Sequence, residues 1–205
     1  NKTKAIMAVH IYGLTVDMDP LLEIAKKYNL KVIEDAAEVI GQTYKGKPCG
    51  SFGDISTFSF YPNMHITTGE GGMVLVNDEE LSKKCMSLRN LCFGKKNRFV
   101  HEEYGWNFRM SNLQAAVGVA QLERLPRTIE KKREIGKIYH QHLHESKHFT
   151  LPLPQTDYCE NIYWIFGILS NEENKNAKWW IGELLKEKIG TRPFFYPMHQ
   201  QPCFE

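Results

Sequence analysis

Residues 53–76 read GDISTFSFYPNMHITTGEGGMVLV, two apolar strand-like runs separated by a polar, glycine-rich turn. Residues 55–61 have the β-branched and aromatic content of a buried strand, and residues 72–76 begin another. Between them stand Asn63, Met64, His65, Thr67, Thr68, Gly69, Glu70, Gly71 and Gly72, too rich in glycine and hydroxyl for a helix or a core element. Two readings of the turn stand side by side: a hairpin connection with glycine at positive φ, or a loop that holds a ligand.

Working outward, strands and helices alternate. Residues 4–10 read as a strand. Met18-Asp19-Pro20 opens a helix with Asp19 as N-cap and Pro20 at the first helical position, an apolar face of Leu21, Leu22, Ile24, Ala25 and Tyr28, and a stop at Asn29. Residues 31–34 form the next strand, so His10 and Asp35 both fall at the carboxyl ends of adjacent parallel strands, where open α/β sheets bind ligands. Downstream, residues 78–91 read as a helix and residues 92–110 as a long, irregular, basic and aromatic loop. Ser111-Asn112-Leu113-Gln114 has the form of a capping box. Its helix runs through Ala115, Ala116, Val117, Val119 and Leu122 and stops before Pro126. A second helix over 126–144 carries Glu130, Lys131, Lys132, Arg133 and Glu134, a charge run that reads as a solvated face. The domain boundary is expected near residue 125. Strands at 162–169 and 191–195 around a helix at 178–188 make the remainder a small α+β domain.

With 205 residues, 42% of them hydrophobic, the chain can bury a sizeable core. A formal net charge of +2 without a basic block gives no nucleic-acid footprint. There is no apolar run of about 18 residues, so no membrane span is expected. Cys49, Cys85, Cys92, Cys159 and Cys203 are odd in number and lack a C-x-x-C pair, which points to reduced thiols in a cytoplasm and away from a disulfide framework or a metal site. Asn1-Lys2-Thr3-Lys4 leads into the apolar run without an initiator Met, and the expectation is the later part of a longer enzyme.

Residues 53–76, with VIEDAAEVIG at 32–41 and GWNFRMSNLQAAVGVAQLE at 105–123, resemble the sugar-aminotransferase family called DegT/StrS, and within it the perosamine-synthase-like members. The resemblance implies a fold-type-I pyridoxal-phosphate (PLP) transferase: a three-layer α/β/α large domain whose later part is residues 1–125, its N-terminal part missing, and a small α+β C-terminal domain over 126–205. It implies amination at C4 of a GDP-linked 4-keto-6-deoxy sugar, with glutamate as amino donor, in a homodimer with shared active sites. Asp35 matches the anion beside the ring nitrogen, which keeps the pyridinium protonated; on its own it also reads as a turn aspartate. Glu38 matches the position near the cofactor's 3-hydroxyl. Ser59 matches the serine that donates to the phosphate, and otherwise is an alternating strand position. Asn107 matches the asparagine that reaches the partner's phosphate, with an Asx turn as its plain alternative. His10, Tyr196 and His199, the last two in an F-Y-P-x-H-like segment, match substrate contacts, with a buried, satisfied histidine as the ordinary alternative for either histidine. Arg109 has the planar fork for a pyrophosphate, or equally for a carboxylate in its own loop.

One residue departs. Where the family pattern reads S-F-Y-P-N-K-H-I-T-T-G-E-G-G-M, this chain has Met64 in the lysine position, 64 − 35 = 29 residues after Asp35, the expected aspartate–lysine spacing. A thioether offers neither an amine nor a titratable proton. His65 is next door, but in an extended segment adjacent side chains alternate, so it points elsewhere. Related 3-dehydratases carry P-x-H-H-I-T, whereas this chain carries P-N-M-H-I-T. Met64 is an engineered knock-out, a natural degeneration or a sequence error, and as written the chain is not expected to complete transamination. The readings that follow are a transferase impaired at one residue, a non-catalytic homologue that binds PLP or sugar nucleotide, and a 3-dehydratase, which the absent histidine at 64 argues against.

Overall fold

The computed structural model describes residues 2–94, 97, 99–101 and 103–204. Lys95, Lys96, Arg98 and Glu102, which supply much of the charge of the expected 92–110 loop, lie outside the described residues. The alternation read upstream is present as β1 (Ala5–Val9), α1 (Met18–Lys27) and β2 (Lys31–Asp35). A short hairpin follows, β3 (Thr43–Tyr44) and β4 (Lys47–Pro48), turned by Lys45 and Gly46, both at positive φ. Then come β5 (Ile55–Ser59) and β6 (Gly72–Val76), and the helices α2 (Glu79–Arg89), α3 (Asn112–Glu123) and α4 (Leu125–Leu143). Next come β7 (Phe149–Thr150), β8 (Leu169–Ser170) and α5 (Ala177–Lys186), followed by 3-10 turns at Met198–Gln200 and Pro202–Phe204.

The main sheet has the order β1-β2-β5-β6. Its first three strands are parallel, with Val9 opposite Asp35 and Asp35 opposite Thr57, and β6 runs antiparallel to β5. Residues 9, 35 and 57 therefore share one edge. The core lies between this sheet and α1, where Ala8, Met18, Ala25, Val32, Ala36, Val39, Tyr44 and Cys49 are buried together.

Three local expectations change. Asp17, not Asp19, is the N-cap residue of α1. Tyr44 explains the shift: its hydroxyl donates to Asp17 Oδ1 at 2.7 Å and accepts from the Asp19 N–H at 3.1 Å, holding the first turn from outside. The strands expected at 162–169 and 191–195 do not form; β8 alone remains, paired with β7. Residues 161–164 are buried by packing and need no ladder partner, while Pro193 lacks the N–H a strand interior needs. Lys132 leaves the solvated face expected of its charge run. Its Nζ donates to the Trp164 carbonyl at 2.8 Å, and burial pushes its pKa down.

The chain divides into two compact units, Asn1–Gly136 with Pro154–Ile165, and Lys137–Leu153 with Phe166–Glu205. The boundary expected near 125 falls at the α3–α4 junction, and the division itself lies within α4. All five cysteines are free thiols. Among the described residues no helix is long and apolar enough to cross a membrane, and no cluster of His, Cys, Asp or Glu is arranged to hold a metal.

Candidate active site

Asp35 is the last residue of β2, half-buried, and its Oδ1 accepts from the Ala37 N–H at 3.1 Å. Its other carboxylate oxygen has no partner among the described residues. Glu38 Oε2 accepts from the Tyr12 N–H at 2.8 Å. Burial pushes the Glu38 carboxyl above its usual range, the Tyr12 N–H pulls it back, and the charge of Asp35 raises it again. That electrostatic coupling puts the two acids in one neighbourhood.

Ser59 ends β5, and its Oγ accepts from the Tyr61 N–H at 3.2 Å, which leaves the hydroxyl hydrogen to donate elsewhere. Beyond it the chain turns back. Phe60 N–H donates to the Gly71 carbonyl at 2.9 Å, Thr68 N–H to the Phe60 carbonyl at 3.1 Å, and Thr67 Oγ1 to the same carbonyl at 2.9 Å. Gly71 has φ 151°, and a Cβ there would lie 2.6 Å from Thr68 Oγ1. The stretch is thus an antiparallel hairpin with a long, self-bonded connection. Met64 sits within it, half-buried, its N–H donating to the Tyr61 carbonyl at 3.1 Å.

His10 has no free nitrogen. Its Nδ1 accepts from the Val16 N–H at 3.0 Å, so Nε2 carries the proton toward Glu34 Oε1 at 3.0 Å. The expectation of a substrate contact gives way here to the ordinary alternative, a satisfied interior histidine, 1% exposed. Glu34 also accepts from Phe52 and Gly53 N–H, each at 3.0 Å, from Ser56 Oγ at 3.3 Å, and from Gly50 N–H. Burial alone would raise its pKa, but the histidine and the three backbone donors outweigh it and bring the carboxyl down to about 2.

Asn107 and Arg109 are exposed and bonded to one another, Arg109 Nε donating to Asn107 Oδ1 at 3.2 Å. Arg109 also lines a cavity of about 810 Å³ walled by β6, α2 and the 106–110 segment. Asp35, Ser59 and Met64 do not line it. Tyr196 and His199, in and beside a 3-10 turn at Met198–Gln200, are exposed and belong to the other compact unit.

Sequence reading assigned residues 162–169 to a strand and missed what residues 161–164 do instead. Asn161, Ile162, Tyr163 and Trp164 are all buried. They are tied to both loops of the sheet edge. Ile162 N–H donates to the Gly13 carbonyl at 3.3 Å, Trp164 Nε1 to the Asn63 carbonyl at 2.9 Å, and the Trp164 ring stacks on Tyr12 at 6.1 Å. A Cβ at Gly13 would lie 2.6 Å from the Tyr163 nitrogen, so glycine is required at that contact. The widely separated residues of this contact left no local signal.

The chain is similar to known proteins over its whole length. The chain is 43% identical over 206 residues to GDP-perosamine synthase of Escherichia coli O157:H7, covering all of this chain and 55% of that protein. It superposes on Helicobacter pylori PseC, an aminotransferase involved in the biosynthesis of pseudoaminic acid, with a TM-score of 0.92 at 30% identity, over 99% of this chain and 55% of the other. It also superposes on E. coli GDP-4-keto-6-deoxy-D-mannose-3-dehydratase with bound hydrated PLP, with a TM-score of 0.79 at 25% identity, over 92% and 52%. The chain thus spans about half the length of these relatives. The model of the DegT/DnrJ/EryC1/StrS aminotransferase family matches residues 1–205, and the chain belongs to that family.

Proposed function

We propose that this chain carries part of the active site of a PLP-dependent aminotransferase that acts on a nucleotide-linked keto-sugar. The observation that supports this most is Asp35, a half-buried carboxylate at the carboxyl edge of parallel strands with one oxygen uncommitted among the described residues. The donor set fits the ring and phosphate of PLP. Asp35 would hold the proton on the ring nitrogen, the spare hydrogen of Ser59 would meet the phosphate, and Asn107, its Oδ1 taken by Arg109, keeps an amide N–H to give. Glu38 would lie toward the 3-hydroxyl. When bound, the pyridinium supplies the electron sink of the reaction.

The fit stops at position 64. Met64 can neither make the covalent bond to the cofactor nor carry a proton to or from the reacting carbon. The acceptor we favour is a GDP-linked 4-keto-6-deoxy sugar and the donor glutamate, in a cytoplasmic homodimer that shares its sites through Asn107. Arg109, whose remaining N–H groups suit a pyrophosphate, and Tyr196 and His199 are the proposed sugar-nucleotide contacts; His10 is withdrawn from that set.

The test is Met64→Lys, with the parent chain as control. The variant is expected to gain the absorbance of a covalently held PLP, lose it on borohydride treatment with the reduced cofactor retained through denaturation, and aminate a nucleotide keto-sugar. A variant that binds PLP no better than the parent would overturn the reading. Met64 itself then favours the second one, a non-catalytic homologue. A 3-dehydratase finds less support, because His65, the histidine beside position 64, is bonded to the Ile162 carbonyl.

A further inference from the structure

We propose that His65 is a positioning residue, the latch that holds the turn bearing residue 64 against residues 161–164 and so fixes where the side chain of residue 64 emerges. His65 is 5% exposed, and its Nε2 lies 3.2 Å from the Ile162 carbonyl oxygen. A carbonyl only accepts, so Nε2 carries the proton. The second nitrogen, Nδ1, is buried and has no partner among the described residues. A buried imidazole with one nitrogen unpaired is held at a cost, and one hydrogen bond across 97 positions of sequence is what it secures.

The latch has a second fastening. Trp164 Nε1 donates to the Asn63 carbonyl at 2.9 Å, on the other side of residue 64. Position 64 is therefore clamped from both neighbours to one short segment. That segment is itself anchored: Asn161 Oδ1 accepts from the Tyr163 N–H at 2.7 Å, Lys132 donates to the Trp164 carbonyl, and Ile162 N–H reaches Gly13. Gly13 follows Tyr12, whose N–H holds Glu38. One segment thus positions both residue 64 and a proposed ring contact. A covalent bond between residue 64 and a cofactor tolerates little misplacement, since an error of about 1 Å costs roughly a hundredfold in rate.

The importance of residue 64 rests on the function proposed above; the latch itself does not. The test is amide hydrogen exchange over residues 63–66 in the chain as it stands, without cofactor, for His65→Leu, His65→Gln and Trp164→Phe. Leucine keeps the volume and loses the donor, so exchange of the Met64 N–H is expected to rise about tenfold, the worth of one hydrogen bond, with β2 and β5 unchanged. Glutamine restores an N–H donor and is expected to stay within about threefold of the parent. Unchanged exchange in the leucine variant, or equal loosening by leucine and glutamine, would overturn the latch. If the leucine variant loses protection throughout β2 and β5, Trp164→Phe decides: loosening confined to 63–66 supports the latch, and unchanged exchange there sinks it. In a Met64→Lys background, His65→Leu is further expected to lower the borohydride-trapped fraction and His65→Gln to restore it. Failure of Met64→Lys alone to trap PLP, with exchange behaving as expected, removes the functional reading and leaves the latch.

Discussion

Glu34, with no exposed surface, accepts from a histidine, a serine and three backbone N–H groups, and its carboxyl falls from 4.5 to about 2. A depressed carboxyl contributes stability that is complete above its unfolded pKa and is lost as pH falls through the folded one. The window is therefore from about pH 4.5 down to about pH 2. Its worth is on the order of 3 kcal/mol. Glu34→Gln puts an N–H₂ group against backbone donors, so urea unfolding at neutral pH is expected to show a loss of about 3 kcal/mol or more. The variant's stability should also change less than the parent's across that acid window. In the sequence Glu34 is only the end of an apolar strand. Its five donors lie 16 to 24 positions away and cannot be read locally. Met64 departs from the expected family pattern in residue type alone, which the sequence displays one residue at a time. His65 was legible only as a residue pointing elsewhere. Where it points was hidden, because residues 62–66 form turns and bends, so strand alternation gives no guide to the side chain's partner.

Helices were the most readable elements, since their signals are local. The capping box at Ser111 and Gln114 is present as expected, with Gln114 N–H donating to Ser111 Oγ at 3.3 Å and Gln114 Oε1 accepting from Ser111 N–H at 3.0 Å. Ser111→Ala is expected to cost α3 about 1 kcal/mol, seen as faster amide exchange in its first turn. Strands were readable where they pair and unreadable where apolar residues serve packing instead, as at 161–164. The glycines divide the same way. Gly46 has φ 81° and open space around a would-be Cβ, whereas Gly13 has φ 93° and backbone 2.6 Å away. Gly46→Ala should therefore cost only the strain of the left-handed region, about 1 kcal/mol. Gly13→Ala is expected to cost at least about 2 kcal/mol more by thermal or urea unfolding, because the neighbour that must move is main chain.

At the scale of the whole molecule, every side chain of the buried core belongs to the first unit, and among the described residues the second unit buries none. Opening there exposes little that was hidden, so it is the cheaper event. Limited proteolysis is expected to cut first within 137–153 or 166–204, with the β1-β2-β5-β6 sheet surviving as the resistant product. Early cutting between β2 and β5 would contradict this. The pattern of sheet and helix suggested a boundary near residue 125, whereas the first unit runs to Gly136 and returns over 154–165, and that return is made of long-range contacts with no periodic signature.

The return has a consequence for synthesis. Trp164 meets Asn63 across 101 positions, and His65 meets Ile162 across 97. During translation the sheet and its long hairpin leave the ribosome well before the segment that fastens them. At roughly 5–20 residues per second, the turn around position 64 spends about 5–20 s outside the tunnel without its clasp. For that interval the residues that form the sheet are outside the tunnel while the connection around position 64 still lacks its two long-range hydrogen bonds.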